Sequence, residues 1–217
     1  MPVDVPSYPV NLLVAGRRVL VVGGGAVAAE KARGLLAAGA IVHVVATEVR
    51  APVRALEVTW EERPYARGDV RGYRLVVACT DDPAANQAVF DDGEAADIWV
   101  NAADDPARCS YTLPARLDRG RLLVTVSTAG HSPALASWLR DQLGEHLGPE
   151  YDTLLELLAD ARAARVTAGL PALGADWRSA LDSGMLDLVR AGRIDEAREL
   201  LETSLAPSDP PHPGSLR

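Results

Sequence analysis

Short apolar runs alternate with longer helical segments through the first half of the chain. The run Val19–Val22 is rich in β-branched residues and is typical of a parallel strand covered on both faces, and Ile41–Ala46 is a second run of this kind. The segment between them, Ala26–Ala38, contains strong helix formers and is followed by Gly39, a favourable C-terminal cap. These residues predict a strand, a helix and a second strand in one βαβ unit.

The alternation of strand and helix continues to about residue 110. Further strands are predicted at Val58–Trp60, Arg74–Cys79 and Asp97–Asn101. A helix is predicted to begin with Pro83 in its first turn and to end near Phe90. Units of about 30 residues in this order favour an α/β fold with a Rossmann-type, doubly wound parallel sheet.

The pattern changes after residue 110, where a turn rather than a helix separates two apolar runs. Tyr111–Leu117 and Leu122–Ser127 are predicted to form a hairpin around the turn Asp118-Arg119-Gly120, and a helix that ends near Leu147 follows. Three more helical segments, of which the first two are open to interruption, are predicted at Glu150–Ala168, Asp176–Ala191 and Asp195–Ser204.

These elements divide the chain into four predicted regions. They are a Rossmann domain over 1–110, a small α+β region over 111–148, a helical C-terminal domain over 149–205 and a tail over 206–217. The tail is rich in Pro and Ser and is expected to be disordered.

Composition and charge narrow the class of protein. The net charge of −8 argues against nonspecific nucleic-acid binding, and no apolar run reaches the roughly 18 residues that span a bilayer. No basic and apolar signal opens the chain, so we expect a cytoplasmic protein that binds neither nucleic acid nor membrane. Neither the two cysteines nor the four histidines have metal-ligand spacing, so no structural metal is predicted.

The glycines after the first strand carry the strongest chemical signal. Gly23, Gly25 and Ala28 fit the G-x-G-x-x-G/A fingerprint, with Gly24 inside the turn. The helix that follows would direct free N–H groups and a positive dipole end at a pyrophosphate. Because a strand and a helix flank the motif, it predicts a dinucleotide site; the alternative is a glycine-rich turn without a ligand.

The end of the second strand departs from the usual pattern, in which an acid there binds the ribose of the dinucleotide. Thr47 and then Glu48 follow the strand, with Arg50 nearby. Glu48 can accept hydrogen bonds from ribose hydroxyls, or it can simply cap the segment that follows. Since no arginine stands directly at the strand end, the sequence favours NAD over NADP.

Residues beyond the carboxyl ends of the other strands are the next candidates, since α/β folds bind ligands at that edge. Thr80 and Asn101 occupy such positions. Asp104 and Asp105 follow the strand near which a nicotinamide ring would lie, and a carboxylate there can take a proton while the cofactor accepts a hydride. Alternatively, both aspartates only shape a turn before Pro106.

A second candidate surface begins at Ser127. The small, hydrogen-bonding segment Ser127–Ser132 precedes a predicted helix start and suits a carboxylate. Arg116, Arg119, Arg121 and His131 add positive charge nearby in sequence. The alternative is a capped helix beside a solvated basic hairpin.

Five motifs in a fixed order resemble a known family. They are Tyr8–Leu12, Val21–Ala28 with Lys31 and Ala32, Ala78–Asp82, Val100–Asp104 and Val126–Ala134. Together, over about residues 8–147, they resemble the precorrin-2 dehydrogenase and sirohydrochlorin ferrochelatase family, the N-terminal part of sirohaem synthases. The resemblance implies NAD-dependent oxidation of precorrin-2 to sirohydrochlorin and, in several members, insertion of Fe²⁺ to give sirohaem.

The resemblance also assigns expected roles to residues. Asp104 is the implied catalytic proton acceptor. Family NAD contacts are implied at Ala26, Val27, Thr47 and Glu48. Together with the residues singled out above, the candidate cofactor-binding residues are Gly23, Gly24, Gly25, Ala26, Val27, Thr47, Glu48, Thr80 and Asn101, and the candidate substrate-binding residues are Ser127, Thr128, Gly130, His131 and Arg116. The chain departs from the family at Thr128, where serine is frequent, and at His131, where a small hydroxyl residue is common.

The resemblance further implies a homodimer in which region 111–148 is the dimerisation region. Two other functions stay open from the residues alone. One is a noncatalytic, NAD-binding regulatory dimer, and the other is a different small NAD-dependent oxidoreductase with Asp104 as its base.

Overall fold

A five-stranded parallel sheet organises the first half of the chain in this computed structural model, which describes residues 6–103, 105–171 and 175–206. Its strands are β1 (Arg18–Val22), β2 (Ile41–Ala46), β3 (Thr59–Glu62), β4 (Leu75–Ala78) and β5 (Trp99–Ala102). They lie in the order β3-β2-β1-β4-β5, with every neighbouring pair parallel. This order confirms the predicted Rossmann-type, doubly wound sheet.

Helices and apolar residues cover both faces of the sheet. The helices of this part are α1 (Ala26–Ala37), α2 (Ala51–Arg54), α3 (Pro83–Ala95) and a 3₁₀ turn at Pro106–Arg108. Val19 and Val21 of β1 pack with the buried alanines of α1, whereas Leu20 and Val22 pack on the other face with Val89 of α3. The continuous apolar run of β1 is therefore explained by burial on both sides.

Helix α3 is longer than predicted. It ends at Ala95 rather than near Phe90. Gly93 lies inside the helix at a point where a Cβ atom would overlap Cγ2 of Val100 on β5. The glycine thus allows the helix to approach the strand closely.

The rest of the chain forms a two-stranded sheet and five helices within the described residues. These elements are β6 (Ala115–Arg119), β7 (Leu122–Val126), α4 (Pro133–His146), α5 (Glu150–Thr167), α6 (Trp177–Asp182), α7 (Met185–Arg190) and α8 (Ile194–Ser204). Buried residues of α5, α6, α7 and α8 form a separate apolar core that includes Leu157, Met185 and Leu201.

The hairpin differs from the prediction at its turn and at its first strand. Arg119 pairs with Leu122, so Asp118 and Arg119 belong to the strand and the turn is Gly120-Arg121, with Gly120 at φ 59°. The first strand begins at Ala115, not at Tyr111, because Pro114 has no N–H for a ladder.

The structure also settles the two helical segments that were open to interruption. Segment Glu150–Thr167 is one unbroken helix. The segment predicted at Asp176–Ala191 is two helices, separated at Ser183 and Gly184, and Gly184 has φ 92°. A left-handed residue at this point ends one helix and starts the next in a new direction.

Internal contacts divide the chain into two compact units. One runs up to Pro114 and includes Thr128–Pro133, and the other contains Ala115–Ser127 and the chain from Ala134 onward. The predicted four-region division stays a prediction, and the predicted tail lies outside the described residues apart from Ala206. In the described part of the chain, no helix is long and apolar enough to cross a membrane.

Candidate nucleotide and substrate site

The glycine turn between β1 and α1 has two different kinds of glycine. Gly23 has φ 132°, and a Cβ atom there would lie 2.6 Å from the carbonyl oxygen of Cys79. A Cβ atom on Gly24 would overlap the carbonyl oxygen of Glu48. A Cβ atom on Gly25 would meet nothing within 4 Å. The protein's own packing therefore requires the first two glycines, whereas Gly25 leaves open space.

That open space lies at the switch point of the sheet. β1 is followed by β2 on one side, and β4 by β5 on the other, so a crevice forms beyond the carboxyl ends of β1 and β4. Gly25 is the N-cap residue of the 12-residue helix α1, whose first residues Ala26 and Val27 are exposed while Ala28 is buried. The exposed helix start and the open space fit a pyrophosphate bound through backbone N–H groups.

Glu48 lies beside the glycine turn, where a Cβ atom on Gly24 would overlap its carbonyl oxygen. The N–H of Arg50 donates to the carbonyl of Gly24 at 3.0 Å, and the side chains of Glu48 and Arg50 form an ion pair at 3.5 Å. The Glu48 side chain is 70% exposed. The N-cap position of α2 belongs to Arg50, so the alternative in which Glu48 caps that segment is wrong. Thr47 is also exposed at this strand end.

Thr80 is fixed by a residue that the sequence did not single out. Oδ1 of Asn86 accepts from the Thr80 N–H at 3.2 Å and lies 2.8 Å from its hydroxyl, and Nδ2 of Asn86 donates to the Thr80 carbonyl at 3.0 Å. Asn86 is only 7% exposed. Asp82, which caps α3 through the N–H of Ala84 at 2.8 Å, completes the turn. The sequence offered one local signal, an asparagine in the first turn of the predicted helix that follows Thr80.

Asn101 connects the end of β5 to the segment that follows the 3₁₀ turn. Its Nδ2 donates to the carbonyl of Tyr111 at 3.0 Å and lies 3.5 Å from Sγ of Cys109. Burial raises the pKa of the Cys109 thiol and of the Tyr111 hydroxyl. Both groups therefore remain protonated near neutral pH. The hydrogen bond from Asn101 to Tyr111 gives Asn101 a role in positioning this segment.

Asp104 lies outside the described residues, but the residues on either side of it are placed. The N–H of Ala103 donates to the carbonyl of Ala78 at 2.9 Å. Asp105 caps the 3₁₀ turn through the N–H of Ala107 at 2.8 Å and pairs with Arg108 at 3.4 Å. Asp105 therefore shapes the turn, as one of the two alternatives for this aspartate pair required.

Arg108 anchors that turn to helix α3, which the sequence analysis missed. Its Nε donates to Oε1 of Gln87 at 2.7 Å. Arg108 and Gln87 are far apart in sequence, so only the fold brings the pair together.

Thr128, Gly130 and His131 lie in a compact loop. The Thr128 hydroxyl accepts from the N–H of Ser132 at 3.1 Å and donates to the Ser132 carbonyl at 3.0 Å. Gly130 has φ 84°, and a Cβ atom on it would meet nothing within 4 Å. Thr128, Gly130 and His131 belong to the first unit, whereas Ser127 and Arg116 belong to the second.

The hairpin arginines are less available than the sequence predicted. Arg119 donates to the carbonyls of Leu147 at 2.7 Å and Gly144 at 3.3 Å, which satisfies the C-terminal end of α4. Arg121 pairs with Asp152 and Glu156 of α5.

Within the part of the chain that the structure describes, Arg116 pairs with Asp118 alone, at 3.3 Å, and both side chains are more than half exposed. An exposed pair of this kind is weak. Of the three hairpin arginines, Arg116 therefore has the fewest competing contacts among the described residues.

Sheet order, glycine turn and helix start are those of a dinucleotide-binding Rossmann protein. Residues 10–115 match the family described as putative NAD(P)-binding. Siroheme synthases are similar to this chain over most of its length. That of Photorhabdus laumondii is 36% identical over 208 residues, which cover 93% of this chain and 44% of that protein. That of Azotobacter vinelandii is 37% identical over 201 residues, which cover 90% and 43%.

The chain spans less than half the length of these curated relatives. Among solved structures, a precorrin-2 dehydrogenase, SirC, superposes with a TM-score of 0.71 at 27% identity, covering 91% of this chain and 100% of that one. The predicted resemblance is confirmed, since the chain is similar to siroheme synthases and to a precorrin-2 dehydrogenase over most of its length.

Proposed function

We propose that this chain oxidises precorrin-2 to sirohydrochlorin with NAD⁺, as a step of sirohaem biosynthesis. The observation that carries the proposal is the similarity to the precorrin-2 dehydrogenase SirC, which extends over the whole of that chain. The open space at Gly25, at the start of α1, supports it because this is where a dinucleotide-binding fold receives the pyrophosphate.

The reaction removes one hydride and one proton from the macrocycle. NAD⁺, when bound, accepts the hydride. In the proposal the backbone N–H groups of Ala26 and Val27 bind the pyrophosphate, while Thr80 and Asn101 border the nicotinamide end. The carboxylate of Asp104 accepts the proton. No protein nucleophile is required.

Preference for NAD⁺ over NADP⁺ is assigned to Glu48. Its carboxylate is exposed beside the glycine turn, where it can accept hydrogen bonds from ribose hydroxyls. A phosphate on the same ribose would face this negative charge and be repelled. Thr47 supplies a hydroxyl at the same strand end.

The carboxylates of precorrin-2 are assigned to Ser127, Thr128, Gly130, His131 and Arg116. The support is chemical: the loop offers hydroxyl, backbone and imidazole groups, and Arg116 is held only by an exposed ion pair. Guanidinium groups bind carboxylates with strong, charge-assisted hydrogen bonds.

Insertion of Fe²⁺ into sirohydrochlorin is a second proposed activity. The similarity to siroheme synthases favours it, since sirohaem is the iron-containing product. No group of three or more potential ligands that could hold a metal exists in the described part of the chain. Iron would therefore be a transient substrate, and Asp104 would accept pyrrole protons.

A homodimer is proposed for the second unit. β6 and β7 form a sheet of only two strands, which is marginal in isolation. Large apolar side chains are exposed in the same unit, at Leu123, Leu135 and Trp138. A second copy would cover them. A cytoplasmic location is proposed as well, because both cysteines are free thiols.

The test is anaerobic incubation of the chain with precorrin-2 and NAD⁺. We expect the visible spectrum of sirohydrochlorin to appear, with one NADH formed for each molecule of product. The same oxidation should be slower when NADP⁺ replaces NAD⁺. Fe²⁺ is then added, and a metal-dependent spectral change above the uncatalysed rate is expected. NAD⁺ binding without oxidation would support a regulatory dimer instead, and full oxidation without metal insertion would remove the ferrochelatase activity.

A further inference from the structure

A groove lies at the amino-terminal ends of the strands, on the edge of the sheet opposite to the glycine turn. It has a volume of about 850 Å³ and is lined by the segments that lead into β1, β4 and β5. None of the residues assigned to the nucleotide or to the catalytic step lines it.

Two arginines in the groove have no acidic partner. The side chains of Arg17 and Arg74 line it and make no hydrogen bond or ion pair among residues 6–103, 105–171 and 175–206. Arg74 donates its N–H to the carbonyl of Arg18 at 2.9 Å, and the Arg18 guanidinium lies 4.5 Å from the centre of the Tyr73 ring. In a chain of net charge −8, this edge therefore concentrates uncompensated positive charge.

The same groove exposes large apolar surfaces. Leu13 is 90% exposed, Trp99 44% and Leu12 42%, and all three line it. Asp97 is the one acidic residue among the lining residues. Exposed apolar patches of this kind mark binding surfaces.

Taken together, these side chains select for one kind of ligand. Tryptophan and tyrosine rings stack on flat, apolar molecules. Arginine side chains stack as well and bind carboxylates in a fixed, two-pronged geometry. A planar body with several carboxylates at its rim satisfies both parts of the groove.

We propose that this groove binds a polycarboxylated tetrapyrrole as a second site, separate from the catalytic one. The inference rests on the proposed function, which gives the chain ligands of this class. The volume of about 850 Å³ lies within the range of roughly 300–1,000 Å³ of small-molecule sites. The macrocycle covers Trp99 and Leu13, while its carboxylates reach Arg17 and Arg74. The site holds one molecule of substrate or product at the surface during turnover of another.

The experiment uses uroporphyrin I, a fully oxidised macrocycle with carboxylates on every ring, and the full chain. Tryptophan emission is recorded during the titration. The quenching that arises from Trp99 is obtained by subtracting the quenching of the Trp99→Phe variant from that of the wild type. We expect saturable, Trp99-dependent quenching in the wild type. The double variant Arg17→Ala/Arg74→Ala should bind about tenfold more weakly or worse by this signal, because it loses two charge-assisted contacts.

A matched control is the double variant Arg33→Ala/Arg162→Ala. These arginines are also exposed and without an ion pair in the described residues, but they do not line the groove. The control should keep wild-type quenching, and both double variants should keep the wild-type kcat/KM for precorrin-2. Equal quenching in the two double variants would overturn the proposal, as would displacement of uroporphyrin from the groove by NAD⁺.

The two proposals fail in different ways. A wild-type chain that does not oxidise precorrin-2 contradicts the proposed function. A wild-type chain that oxidises it normally but shows no Trp99-dependent quenching contradicts only the second site.

Discussion

Single residues at the glycine turn separate packing from ligand binding. Gly24 faces the carbonyl of Glu48 so closely that no side chain fits, whereas Gly25 faces open space. In the fingerprint Gly25 is the second glycine, whereas Gly24 occupies a position that any residue can fill. Only the structure shows that one serves the fold and the other leaves room for a ligand.

Alanine substitutions at the two positions should therefore have opposite effects. Gly24→Ala should lower the free energy of unfolding by about 1–3 kcal/mol, as overpacking does. Gly25→Ala should change it by less than about 1 kcal/mol, because this N-cap position has an extended backbone that alanine tolerates. It should weaken NAD⁺ binding by roughly tenfold or more, because the second glycine admits the pyrophosphate. Urea unfolding measures the effect on stability, and calorimetry measures the effect on NAD⁺ binding. Normal NAD⁺ binding by the Gly25→Ala variant would show that the dinucleotide does not bind at this turn.

The proposed preference for NAD⁺ over NADP⁺ depends on the carboxylate of Glu48. Glu48→Ala should weaken NAD⁺ binding by about tenfold, the loss expected for charge-assisted hydrogen bonds, and should narrow the preference over NADP⁺. Arg50→Ala breaks the same exposed ion pair and should leave the NAD⁺ affinity almost unchanged. Parallel titrations with NAD⁺ and NADP⁺ check this. Equal losses in the two variants would mean that the ion pair, not the carboxylate, matters.

At the scale of elements, helix α3 is an anchor for the loops around the sheet. Asn86 in its first turn holds Thr80, Gln87 holds Arg108, and Asp92 near its other end holds the loop before β4. The loop contacts of Asp92 are hydrogen bonds from Tyr65 at 2.7 Å, Arg67 at 2.8 Å and the N–H of Gly68 at 2.8 Å.

The Asp92 contacts predict a pH dependence of stability. Burial raises the pKa of Asp92, but the hydrogen bonds from Arg67, Tyr65 and Gly68 outweigh it and hold that pKa below its ordinary value of 3.8. The carboxylate therefore stabilises the fold above pH 3.8, and this contribution is lost as the pH falls through the lowered pKa.

Comparison of wild type with Asp92→Asn measures that contribution. The difference in free energy of unfolding should be largest near neutral pH and should shrink below pH 3.8. Asp91→Asn, which alters an exposed pair with Arg67, should change stability little at any pH. A constant difference for Asp92→Asn down to the lowest accessible pH would contradict the role assigned to this carboxylate.

The elements also show why some predictions succeeded and others did not. β2 has its predicted bounds, Ile41–Ala46, because a run of apolar residues buried on both faces is visible locally. The predicted end of α3 was wrong. Gly93 stays inside the helix, where it packs against Val100 of β5, and such a contact between two elements is not visible in the local sequence pattern. The charges of Arg119 and Arg121 were misjudged for the same reason, since their partners lie on later helices.

For the whole molecule, the doubly wound parallel sheet was predicted from the alternation of strands and helices, and the family resemblance was predicted from five short motifs. The grouping of the hairpin with the C-terminal helices in one unit was not predicted from the sequence. It depends on contacts such as that between Asp152 and the N–H of Arg121 at 2.7 Å, which join segments that the sequence pattern divides.

The proposed dimer is tested on the exposed apolar face of the second unit. Trp138, 58% exposed on α4, should lie at the interface, so Trp138→Glu should convert dimers to monomers. Val166→Glu, on α5, introduces the same charge at a residue that is 60% exposed and should leave the dimer intact. Sedimentation velocity distinguishes the species. A wild-type monomer at all concentrations, or equal effects of both variants, would contradict the assigned interface.

Two neighbouring variants test the proposed oxidation by their rates of NAD⁺-dependent conversion of precorrin-2 to sirohydrochlorin. Asp104→Asn removes the proposed proton acceptor and should lower kcat by roughly 100-fold or more. Asp105→Asn keeps a side chain that caps the 3₁₀ turn equally well, so its kcat should stay within a few-fold of the wild type. An undiminished rate with Asp104→Asn would show that Asp104 is not the proton acceptor. No oxidation by the wild type would show that the chain does not have the proposed activity.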